Sequence, residues 1–116
     1  MSDHILFAGW KGVVHGFEKM SLELAQETTE ILTKMAGDGL IKNAFRYQLD
    51  PHGGDLNHFL IIIGEAENLA KVRQDPEFRK CMIKASYCLE GYGLVDGVTG
   101  ETDRKRMDIL IDLFEK

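Results

Sequence analysis

Cysteine and proline each occur only twice in 116 residues, tryptophan once, and Lys and Arg are outnumbered by Asp and Glu, 14 to 19. Each shortage removes a class of protein. Cys81 and Cys88 are seven positions apart. On one helix they would stand about 10 Å apart along the axis, beyond disulfide reach. Two buried, reduced thiols in a cytoplasmic protein are therefore expected. A net charge of −5 speaks against nucleic acid or an anionic membrane as partner, since both need clustered positive charge. The one basic cluster, Arg104-Lys105-Arg106, is followed by Asp108 and Asp112 and reads as a solvated helix face. No apolar run approaches the ~20 residues of a membrane span. The start, MSDHILFAGWKG, has an early acidic residue, no basic stretch and no small-residue cleavage site, so no signal peptide is expected. With no linker, repeat or low-complexity segment, residues 1–116 read as one domain.

What is present is a regular alternation of strand and helix patterns. Residues 4–14, HILFAGWKGVV, are apolar at odd and even positions alike, as in a central strand covered on both faces. From about Phe17 to Ala36, Leu24, Thr28, Ile31, Leu32 and Met35 recur at helical spacing, and Gly37-Asp38-Gly39 ends the run. Residues 40–49 alternate, with Phe45, Tyr47 and Leu49 against Ala44, Arg46 and Gln48. HFLIIIG (58–64) has no polar face. Glu65 to Gln74 is a short helix. Asp75-Pro76-Glu77 opens another, with Asp as cap and Pro in the first turn. Residues 89–100 read as a glycine-rich fourth strand, and Thr102 as the cap of a helix with Met107, Leu110, Ile111 and Phe114 on one stripe. The order β-α-β-β-α-β plus a C-terminal helix is the α+β, ferredoxin-like arrangement: a four-stranded antiparallel sheet with the helices on one face.

The segment DPHGGDLNHF (50–59) gathers two histidines, two aspartates and an asparagine around two glycines. With Gly53-Gly54 as a two-residue turn, His52 faces Asp55 and Gln48 faces Phe59. Phe45, Tyr47, Leu49, Leu60 and Ile62 then lie under the helices. Phe59, Ile61 and Ile63 share the other face with Arg46 and Gln48. So large an apolar patch needs a cover: the C-terminal helix could supply part of it, and a second copy packed sheet to sheet supplies it better. His58 points to the helix side, apart from His52 and Asp55. The spacing His-x2-Asp-x2-His matches no strong metal signature, and there is no phosphate loop. Neither metal nor cofactor is expected. The plain reading of His52 and Asp55 is a cross-strand pair closing a turn.

The stretches FAGWKGVVHGFEK, LDPHGGDLNHFLIIIG and DPEFRKCMIKASYCLEGYGLVDGVTGE resemble a bacterial family of small proteins without assigned activity, among the dimeric α+β barrel, ferredoxin-like proteins. The resemblance covers about residues 5–101. It implies the fold and a homodimer, and it lends no catalytic residue. The wider superfamily includes cofactor-free and haem-using monooxygenases, small isomerases and lyases, and binding modules. Fold does not choose among them. Three readings stand: a homodimeric module binding a small, partly apolar molecule; a monooxygenase- or isomerase-type enzyme; and a purely structural or partner-binding dimer. The candidate general bases are His52 with Asp55, or His58. The candidate ligand-binding residues are Trp10, Tyr47 and Asn57.

Overall fold

A computed structural model describes residues 3–115. Its elements are β1 (His4–Trp10), β2 (Gly12–Val13), α1 (Glu18–Gly37), β3 (Asn43–Gln48), β4 (His58–Gly64), α2 (Ala66–Gln74), α3 (Pro76–Cys88), β5 (Leu89–Glu90), β6 (Gly93–Val98) and α4 (Gly100–Phe114). The main sheet is antiparallel in the order β3-β4-β1-β6. That is the ferredoxin-like α+β arrangement. The long first strand expected over residues 4–14 is broken at Lys11. Its continuation, β2, peels away and pairs with β5 in a separate two-stranded ribbon.

Local chemistry explains the helix boundaries. α1 ends in a Schellman motif: Gly39, at φ +78°, donates its N–H to Ala36 O, and Leu40 N–H reaches Met35 O. Asp75 caps α3, its side chain accepting from Phe78 N–H at 3.0 Å, with Pro76 in the first turn. α4 is capped at Thr99 rather than Thr102, because Thr102 lies in the first turn and its N–H and hydroxyl sit 3.4 Å from Asp3 Oδ2.

The core lies between one sheet face and helices α1 to α3. Leu6 and Ile62 from the sheet meet Leu32 and Met35 of α1, Leu69 and Val72 of α2, and Phe78 of α3. A second cluster joins Leu24 to Cys81, Ala85 and Cys88, and both cysteines are buried free thiols. Burial raises the pKa of each. α4 is different: its apolar stripe is formed, yet none of its residues is buried. The radius of gyration, 16.0 Å, accordingly exceeds the ~13 Å of a compact chain of this length.

The β3–β4 hairpin departs from the two-glycine turn. Observed partners are Gln48 with His58, Tyr47 with Phe59, Arg46 with Leu60 and Phe45 with Ile61. The ladder continues through Leu49 N–H to Asn57 O, so the turn is centred on Gly53, at φ +81°. Asn57 anchors the returning arm: its backbone N–H donates to Trp10 O, and its Nδ2 donates to Lys11 O at 3.0 Å. A one-residue offset turns every side chain of one strand over. β4 keeps the expected sides, with Ile62 buried and Ile61 on the open face. β3 is reversed: Arg46 and Gln48 face the helix side, while Phe45 and Tyr47 stay 40% and 44% exposed on the outer face.

The exchange sorts the two faces cleanly. Phe7, Phe59, Tyr47 and Phe45 form a continuous aromatic ladder across the outer face, with successive centroids 5.5, 4.9 and 6.4 Å apart. Replacing Ile62 by Glu would bury an unpaired charge at a cost of several kcal/mol, comparable to a small domain's whole stability. We expect Ile62→Glu to prevent folding and Phe45→Glu to leave a folded chain. Circular dichroism melts of the two variants check this, and loss of folding in Phe45→Glu as well would restore the two-residue turn.

Candidate functional site

Toward the N-terminal half of α1 the helix faces the sheet with short side chains, Ser21, Ala25, Thr28 and Thr29, where further along Leu32 and Met35 close the core. The gap between is a cavity of about 270 Å³. Its sheet wall is Trp10, Arg46, His58 and Leu60, and Val13 of β2 and Leu89 of β5 close one end. The break at Lys11 is what brings Val13 there. The volume sits near the lower edge of the ~300–1,000 Å³ range of small-molecule pockets.

Trp10 and His58 are direct cross-strand partners. Their rings stack at 5.6 Å and 8°. His58 Nδ1 is fully enclosed and has no hydrogen-bond partner, an uncommon state for a buried polar atom. Desolvation, and secondarily the Arg46 guanidinium, hold the His58 pKa below its ordinary value. The imidazole is therefore neutral at pH 7. Arg46 itself lies on the edge strand, partly in water, with no carboxylate within ion-pair distance among the described residues.

The sequence-derived candidates are dispersed by this geometry. Trp10 and His58 come together in the cavity. His52 and Asp55 each find other partners: His52 Nδ1 lies 3.0 Å from Asp50 O, to which it donates in the matching tautomer, and Asp55 faces Lys11 Nζ at 3.8 Å. All four of these residues are exposed. Tyr47 belongs to the aromatic ladder on the opposite face of the sheet. The side-chain N–H bonds of Asn57 go to the Lys11 and Gly54 carbonyls, which makes it a brace of the hairpin. Arg46 was missed because the symmetric turn puts it on the outer face. No group of three or more His, Cys, Asp or Glu residues is placed to hold a metal ion among the described residues. None of their helices is long and apolar enough to cross a membrane.

Comparison with known proteins supports the fold and stops there. No family model and no curated protein matches the chain. Among solved structures it is similar to a dimeric ferredoxin-like protein of unknown function from Jannaschia, with TM-score 0.66, 8% identity, and coverage of 81% of this chain and 96% of that one. A dimeric ferredoxin-like protein of unknown function from Thermobifida fusca gives 0.65 at 10% identity, covering 84% and 91%. A dimeric protein of ferredoxin-like fold and unknown function from Bacteroides fragilis gives 0.56 at 11%, covering 82% and 95%.

The depressed pKa of His58 has a consequence for stability. As pH falls past about 6.5, the unfolded chain takes up a proton that the folded imidazole resists, so stability is lost below that point and the loss is complete below the folded pKa. The melting temperature should fall between pH 7.5 and 5, and His58→Gln should fall less over the same interval. Equal slopes in a pH series of thermal melts would show that His58 titrates normally.

Proposed function

We propose that the protein is a homodimer, packed sheet to sheet, and that each protomer binds a small, partly apolar molecule in the cavity between α1 and the sheet. The cavity carries this reading: it is walled by the Trp10–His58 stack and bordered by the Arg46 guanidinium. Self-association is supported by the outer face. Phe45, Tyr47 and Val95 are exposed there beside Phe7, Phe59 and Ile61, an apolar surface of the kind that marks an interaction site. The similar structures are themselves described as dimeric. The exposed stripe of α4 adds apolar area that a second copy would bury.

A second reading rests on the same imidazole. A neutral His58 in the wall of the cavity suits a general base of the monooxygenase or isomerase type, which must be unprotonated at neutral pH. The two readings differ in whether a bound molecule is changed.

Light scattering should give a dimer near 26 kDa, twice the 13.1 kDa chain mass, and Phe45→Glu with Ile61→Glu should give a folded monomer. Native mass spectrometry should detect a small molecule that Ala25→Phe, which fills the cavity, no longer retains. A monomeric parent would remove the dimer, and retention by Ala25→Phe would remove the cavity. Conversion of the bound molecule under air, lost in His58→Gln, would favour catalysis.

A further inference from the structure

We propose that the ligand of this cavity is a carboxylate: a one- or two-ring apolar body lying against Trp10, with its carboxylate on Arg46. The inference rests on the cavity reading above and adds the charge and shape of what enters. Its first basis is a local reversal of charge. The chain carries five more acidic than basic residues, yet Arg46 and His58 are the only ionisable side chains among the thirteen that line the cavity. The glutamates of α1 do not reverse this, since none lines the cavity and Glu27 is engaged by Lys84 at 2.9 Å.

The second basis is unused hydrogen-bonding capacity. The Arg46 guanidinium has no carboxylate within ion-pair distance among the described residues, and a planar fork of donors is matched by a planar carboxylate. The two residues sit diagonally on one face of adjacent strands, His58 opposite Gln48 and Arg46 opposite Leu60. The imidazole therefore borders the place where Arg46 would hold a headgroup. Besides the hydroxyls of Ser21, Thr28 and Thr29, of which Ser21 and Thr29 donate to backbone carbonyls of their own helix, the rest of the wall is aliphatic and aromatic, with Leu24, Leu32, Leu60 and the Trp10 ring. The ~270 Å³ volume limits the body to about two fused rings.

Trp10 is the only tryptophan, so its indole N–H gives a single, self-assigned signal in a ¹⁵N–¹H spectrum of the full chain. Naphthalene-2-carboxylate and 2-naphthylmethanol share one ring system and differ in charge. Both should shift that signal, with the carboxylate binding about tenfold or more tightly at low salt. Arg46→Gln should bring the two within about twofold by weakening only the carboxylate, Arg46→Lys should retain part of the preference, and 0.5 M salt should narrow it. Spectral dispersion like the parent's is expected in both variants, because Arg46 is exposed on an edge strand. Equal affinity for the two probes, or a preference untouched by Arg46→Gln, would overturn the proposal and leave a cavity for neutral molecules. A carboxylate preference that survives Ala25→Phe would place the anion elsewhere and also overturn it. No shift with either probe at millimolar concentration would remove the cavity reading and the carboxylate with it.

Discussion

Gln48 sits opposite His58 across the β3–β4 ladder, and the contents of both sheet faces follow from that pairing. Strand side chains alternate with a period of two, so the offset leaves no intermediate arrangement. In this offset Arg46 stands on the helix side beside His58, and the aromatic side chains of β3 join those of β1 and β4 outside. The pairing is held at the turn by Gly53 in the left-handed region and by Asn57, which ties the returning arm to the last carbonyls of β1 and its extension. The His52 ring packs so closely over Gly54 that a Cβ there would come within 2.7 Å of Nε2. Both glycines are thus used, for different reasons.

The element order and most boundaries were legible in the sequence, because they rest on local signals. The Asp75-Pro76 cap, the glycine stop after α1 and the polar-free run of β4 each have a short-range physical cause. The face assignment of β3 was not legible. Its two sets, Phe45-Tyr47-Leu49 and Ala44-Arg46-Gln48, suggest that the aromatic set is inside, which holds only if the outer face is wet. On a sheet apolar on both faces, hydrophobicity no longer points inward, and the register must come from the turn. Two adjacent glycines fit an even or an odd turn equally well at the level of sequence. The deciding contact, Asn57 to Lys11, spans 46 positions.

The same error hid half of the candidate site. Trp10 and His58 could be singled out as residue types, and the structure makes them stacked neighbours. Arg46 read as a polar residue of the partner-facing side, and of the short residues of α1 only Thr28 stood out, as one position of a helical stripe. Their meaning is collective, since small side chains on a helix leave space only where the facing strand fails to fill it. Conversely, the polar density of residues 50–59 reflects the demands of a tight, exposed turn. Carboxylate, imidazole and amide groups serve there as local acceptors and donors to the backbone.

The β3–β4 turn also bears on how such a chain can change over evolutionary time. Exposed hairpin tips are ordinarily where insertions and deletions are tolerated most freely. Here a gain or loss of one residue would move the guanidinium to the outer surface and carry aromatic rings into the cavity, unless a bulge absorbed the change. Lengthening by two residues would leave both faces intact. Descendants of this chain should therefore vary in tip length by even steps, and an odd step should be accompanied by an extra residue within the paired strands.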